Sequence, residues 1–117
     1  MNRRIRMKHK KGLEFTAKAR AAIHKRDQER CVFCDLEYHM EEAIGWAPLQ
    51  IMHIVPRSQL GKGVEQNGAL GCVGHHALMD NGNKGLRPEM QQILEDRMQS
   101  FYPGWTRESV TYSKHKA

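Results

Sequence analysis

The residues best able to do chemistry lie between Cys31 and Asp80: Cys31-x-x-Cys34, His53, Asn67, Cys72-x-x-His75, His76 and Asp80. A two-residue spacing turns both side chains of a pair toward one ion, and four thiolate or imidazole donors suit a closed tetrahedral zinc site. Such a site uses Cys31, Cys34, Cys72 and His75. His53, Asn67, His76 and Asp80 are then left over, and polar residues left beside a structural metal imply a second, working site. Three cysteines cannot all pair within one chain, and a reducing compartment favours metal thiolates over disulfides. The competing reading of Cys31-x-x-Cys34 as a redox pair has a second ligand pair against it and no βαβ pattern around it.

The stretch MHIVPRSQLGKGVEQNGALGCVGHHALMDNG resembles the HNH endonucleases, whose fold is the ββα-metal unit. The resemblance covers roughly residues 26–82, and His53, Asn67 and His76 match the order of first His, central Asn and last His. The flanking zinc pairs match as well, with His75 where many relatives carry Cys. In chain type the sequence is similar to small stand-alone HNH proteins of phages and prophages.

The resemblance implies a metal-dependent DNA endonuclease. Hydrolysis of a phosphodiester needs an activated water, an in-line geometry and neutralisation of the departing oxygen, which a His base and one divalent ion supply. His53 is then the general base. His76 binds the catalytic ion (Mg²⁺, Mn²⁺, Ni²⁺ or Zn²⁺), and Asp80 stands where some members, such as the colicin-type nucleases, place a second ligand one helical turn later. Asp80 also suits helix termination. Asn67 braces the loop after His53 through its two-sided amide, or ligates the ion through its oxygen. Arg57 contacts the scissile phosphate through its planar fork of donors, or is an ordinary surface arginine. The implied partner is double-stranded DNA, nicked or cut through, and stand-alone relatives accompany phage packaging or recombination proteins. Two departures stand out. Met52 occupies the place where many members carry an Asp or His metal ligand, and a thioether is a poor partner for hard Mg²⁺; His75 and His76 are adjacent, so their roles exchange on paper. The alternative function is a catalytically weak or inactive zinc-stabilised nucleic-acid-binding module. A third is an interaction protein that presents its Met-rich C-terminal helix to a partner.

These residues need elements to hold them. Thr16 is a suitable N-cap for a helix from Ala17 to about Arg26, with Ala19, Ala22, Ile23 and Arg26 on one face and Lys18, Arg20 and Lys25 open to solvent or phosphate. The helix delivers the chain to the Cys31–Cys34 turn. The pattern from Leu36 to Trp46 is ambiguous. Leu49 to Ile54 reads as a short strand bracketed by Pro48 and Pro56, a turn-rich loop follows, and a second strand falls near Ala69 to Gly71. A helix from Val73 to about Met79 comes next, ended by Asn81-Gly82. Pro88 opens another, on which Met90, Ile93, Leu94, Met98 and Phe101 form an apolar stripe suited to core packing, until Tyr102-Pro103-Gly104 stops it. The tail SVTYSK alternates enough to pair as an edge strand. The fold class is a small α+β domain with a zinc-stabilised ββα core and flanking helices.

At 117 residues one domain is expected, small enough that a structural metal is a useful addition to its core. Residues 1–13 carry Arg3, Arg4, Arg6, Lys8, Lys10 and Lys11 without an acid, and these six account for the whole net charge of +6. They read as a flexible basic arm that binds nucleic-acid phosphates, or as a solubilising tail, before a domain at 14–117. No apolar run approaches the ~20 residues of a membrane span. The basic start lacks the apolar stretch of a secretory signal. A cytoplasmic protein is expected, in the host cell if phage-encoded.

Overall fold

The computed structural model describes residues 13–81 and 84–113. Arg3, Arg4, Arg6, Lys8, Lys10, Lys11, the helix-ending Gly82 and Lys114 of the tail lie outside the described residues.

Helix α1 spans Ala17–Arg26. Thr16 starts it, its hydroxyl accepting from the Ala19 amide at 3.0 Å, and His24, Lys25 and Arg26 sit in the last turn, where cations complement the helix dipole. A single turn, α2 (Val32–Asp35), follows, capped by the Cys31 sulfur. No strand forms in the ambiguous stretch, which holds a 3₁₀ turn at Met40–Glu42. Strands β1 (Gln50–His53) and β2 (Gly68–Gly71) pair antiparallel, with Ile51 opposite Leu70 and Met52 opposite Ala69. Helix α3 (Val73–Asn81) follows at once, and α4 covers Arg87–Phe101 with Pro88 in its first turn. Strand, strand, helix is thus the order around the site.

The two-residue period of the strands divides the interior. Ile51 and Leu70 point to α1, where Phe15, Ala19 and Ile23 close a small apolar cluster. Met52 and Ala69 point the other way, into the larger core with Val32, Phe33, Leu78, Met79, Met90, Leu94 and Met98. Both packings need a bare backbone. A Cβ on Gly68 would lie 2.6 Å from Ile23 Cδ1, and one on Gly71 would lie 2.5 Å from the Met52 sulfur.

Polar ties lock these layers. Asp27, 4% exposed, accepts from the Leu70 amide at 3.0 Å, from Arg26 and from Arg97. Arg26 donates onward to the carbonyls of Glu65 and Gly68. The end of α1 is therefore fastened to β2 and α4 together.

Three expectations change. The tail makes one bridge, Gly61 to Thr111, instead of a strand, because Thr106 and Ser109 bond each other's amides and curl Glu108–Val110 into a 3₁₀ turn. Phe101, at the end of the α4 stripe, is 43% exposed and lies beneath the guanidinium groups of Arg26 and Arg97, while Met90, Leu94 and Met98 take up core positions. The α3 helix also runs two residues past Met79. Among the described residues no helix is long and apolar enough to cross a membrane.

Candidate functional site

The first site is a Cys₃His cluster at the junction of α2, β2 and α3. The donor atoms of Cys31, Cys34, Cys72 and His75 all lie within 4.8 Å of one another. His75 Nδ1 is 3.5 Å from the Cys31 and Cys34 sulfurs and 3.3 Å from that of Cys72, and the Cys34 and Cys72 sulfurs are 3.9 Å apart. An ideal zinc tetrahedron, with bonds of ~2.3 Å to sulfur and ~2.0 Å to nitrogen, has edges of about 3.8 Å between sulfurs and about 3.5 Å between sulfur and nitrogen. The cluster therefore has the dimensions of a zinc site.

Its surroundings suit a cation. Each pair folds so that a backbone amide donates back to the first sulfur, Cys34 to Cys31 at 3.5 Å and His75 to Cys72 at 3.4 Å. His75 is fully buried, and its Nε2 donates to the Tyr38 carbonyl at 2.6 Å, which leaves Nδ1 as the free ligand. The His39 carbonyl also lies near, at 3.2 Å, presented by a residue in the left-handed region at φ 44°. Burial and then the neighbouring Cys31 push the Cys34 thiol up to about 12. Burial opposes ionisation of Cys72 too, but the amides of Ile44 and His75 and the His75 ring bring it down to about 6. One thiolate forms readily, and the other thiols need a bound cation to ionise.

The adjacent His76 turns elsewhere. Successive helical residues point about 100° apart, so while His75 enters the cluster, His76 lines an open cleft of about 620 Å³ with Glu14, Phe15, Arg20, His24, Gln50, His53 and Arg57. This resolves the ambiguity of the two histidines. His76 Nδ1 lies 2.6 Å from Gln50 Oε1, and its Nε2 lies 3.1 Å from Asp80 Oδ2. That second separation is close to the ~3 Å edge between neighbouring donors on a divalent ion with ~2.1 Å bonds, so a nitrogen and an oxygen one turn apart fit one metal.

His53 comes from the end of β1. Its Nε2 donates to the Leu13 carbonyl at 3.1 Å, and its ring lies 4.4 Å from that of Phe15. A neutral imidazole donating from Nε2 keeps its lone pair on Nδ1. Burial, partly offset by the Leu13 bond, holds its pKa below the usual imidazole value, and the positive charges of Arg57 and Arg20 act in the same direction. Both effects favour the neutral form of His53, whose Nδ1 can accept a proton.

Asn67 is completely buried. Its Oδ1 accepts from the Val55 amide at 2.8 Å, and its Nδ2 donates to the carbonyls of Val55 and Lys62 at 3.1 and 2.9 Å. The amide is consumed in bracing the loop that follows His53, and ligation of a metal ion through its oxygen finds no support in this geometry. Arg57 lies on the cleft, 3.6 Å from Glu14. Met52 is 1% exposed and faces the core, so it neither ligates nor leaves a gap in the cleft; the strand's alternation takes it away from His53. Sequence reasoning missed Leu13, Phe15 and Gln50 as positioning groups. No residue-type signal marks a backbone carbonyl, but Gln50 three residues before His53 in the same strand was open to notice.

No protein-family model, no curated protein and no solved structure matches the chain. Its function is therefore argued from its own residues.

Proposed function

We propose that this chain is a metal-dependent DNA endonuclease of the HNH type. The observation that carries the reading is the convergence of His53 from β1 and His76 from α3 on one basic cleft, with Asp80 3.1 Å from His76, beside a separate zinc-sized cluster. His53 takes a proton from the attacking water at Nδ1, with the Leu13 carbonyl fixing its tautomer and Phe15 its ring plane. Asn67 keeps the Val55–Lys62 loop, and Arg57 on it, in register with His53. Arg57 leaves Glu14 for a phosphate oxygen when substrate enters. His76 and Asp80 would hold a divalent ion, which would supply positive charge to the phosphate and the departing oxygen. The Cys₃His cluster would hold zinc, which would fix α3 and through it His76.

The test is plasmid nicking by zinc-loaded protein across Mg²⁺, Mn²⁺, Ni²⁺ and Zn²⁺, with chelator and His53→Ala controls. Metal-dependent cleavage lost in the variant is the expected result. A folded, zinc-loaded protein that binds DNA but cuts none with any ion supports instead the second reading, a zinc-stabilised binding module. That reading is favoured by the scarcity of donors at the second site, where His76 and Asp80 are joined by no ligand from Met52.

A further inference from the structure

Arg20 stands apart from every other arginine among the described residues. Arg26 and Arg97 are tied to Asp27, Arg30 to Asp35, Arg57 to Glu14, Arg87 to Asp80 and Arg107 to Glu95. The Arg20 guanidinium has no ion pair or hydrogen bond within the described residues. It is nevertheless not a random surface group, because it lines the cleft that holds His53, Arg57 and His76.

The position follows from helix geometry. Ala19 and Ile23 bury one face of α1 against β2, so Arg20 and His24, one turn apart, share a neighbouring face and line the cleft wall. His24 is engaged by Glu29 at 2.7 Å, which leaves Arg20 as the open donor of that wall. The same cleft is lined by Arg57, from the 3₁₀ turn Arg57–Gln59. Glu14 is the one carboxylate among the described residues lining the cleft, and Arg57 already holds it. Two guanidinium forks thus share the cleft with His53 and a single acid. A planar fork without a protein acceptor, in a cleft with excess positive charge, matches an anionic oxygen pair such as a phosphodiester presents.

We infer that Arg20 binds a backbone phosphate of DNA next to the scissile one, making α1, outside the strand–strand–helix unit, a second wall of the substrate site. The choice of DNA rests on the nuclease reading above. Arg20 is a binding residue here: it holds the strand in the cleft through a phosphate that does not react, and takes no part in aligning the scissile bond or in proton transfer. Its contribution is uniform binding, made equally in the ground state and in the transition state, so its loss raises KM and leaves kcat nearly unchanged.

The experiment uses the full, zinc-loaded chain. Binding of a fluorescein-labelled DNA duplex is followed by anisotropy across a salt series without added divalent ion, and plasmid cleavage is measured with it. Arg20→Gln is expected to lower the slope of log K against log salt by about 0.9, the value for one phosphate contact. It should raise KM about 10-fold while kcat stays within about 2-fold, and Arg20→Lys should restore the slope but only part of KM. Lys18→Gln removes one charge from the same helix away from the cleft and should change neither slope nor KM as much. An unchanged slope and KM in Arg20→Gln, or an equal effect of Lys18→Gln, overturns the assignment while leaving cleavage by the wild type, and hence the nuclease reading, intact. A wild type that does not cleave, with the slope still lowered in Arg20→Gln, overturns the nuclease reading and keeps the phosphate contact. A wild type that binds no DNA overturns both.

Discussion

Asn67→Asp separates a brace from a metal ligand. In the folded protein the side-chain amide faces one donor, the Val55 N–H at 2.8 Å, and two acceptors, the carbonyls of Val55 and Lys62 at 3.1 and 2.9 Å. Asp keeps the first contact and turns an acceptor toward two acceptors. Two hydrogen bonds worth roughly 0.5–1.5 kcal/mol each are lost, and a buried carboxylate is left against unpaired carbonyls, for a total of about 3–5 kcal/mol. Against a domain stability of roughly 5–15 kcal/mol this is a large fraction, and urea unfolding measures it directly. The pH dependence carries a sign. The charged form of the new carboxyl is disfavoured in the fold, so its pKa there lies above the unfolded value of about 3.9. The folded state then binds more protons, so the charge-dependent part of the deficit is absent below about pH 4 and grows as pH rises through the raised value, while the bond that a single O–H cannot replace stays lost at every pH. A ligand role demands the opposite, because a carboxylate oxygen binds Mg²⁺ or Mn²⁺ better than an amide does. An Asn67→Asp protein as stable as wild type at pH 7 that binds Mn²⁺ more tightly refutes the brace.

The Cys₃His cluster predicts one zinc per chain in protein purified without added metal, and Cys31→Ser should lower zinc content and stability together while His76→Ala spares both; elemental analysis with thermal unfolding checks this, and a fully folded metal-free sample contradicts it. Asp27→Asn should cost about 3–5 kcal/mol, because it leaves Arg26 and Arg97 without their shared buried carboxylate. Burial opposes ionisation of Asp27, but Arg26, the Leu70 amide and Arg97 hold its pKa below the ordinary 3.8. Its stabilisation is therefore complete above about pH 3.8 and is lost as pH falls through the lower folded value. Acid unfolding of wild type and variant should converge there, and parallel curves would show that Asp27 is not the group responsible.

Local signals were enough for the elements around the site. Thr16, Pro88 and the turn-forming residues after His53 act through the backbone of their own segment, and helices and strands arose within a residue or two of where those signals put them. Residue type also sufficed for the cluster, since thiolates and imidazole at paired spacing have few other uses in so short a chain. What stayed hidden came from distant segments. The carbonyl that orients His53 belongs to Leu13, the carbonyls that orient His75 belong to Tyr38 and His39, and the oxygen on His76 belongs to Gln50. Each depends on which layers pack, and packing here is set by apolar groups such as Phe15 and Ile23 that carry no chemistry of their own.

Adjacent residues made the sequence hardest to read, and they also explain how a small domain holds two sites so close together. Met52 and His53 are neighbours on β1, and the strand sends one into the core against Gly71 and the other to the cleft. His75 and His76 are neighbours on α3, and the helix sends one to the sulfurs of Cys31, Cys34 and Cys72 and the other to Asp80. In both pairs the inner residue anchors the element that aims the outer one. Filling the zinc cluster fixes the roll of α3 and with it the direction of His76; packing Met52 fixes the roll of β1 and with it His53. A carboxylate at position 52 would therefore sit in the core, where its charge is unpaired, and the strand that presents His53 would lose its seat. Met52 is used to hold the strand, and any further donor beside His76 and Asp80 must come from the cleft, where Gln50 already reaches His76.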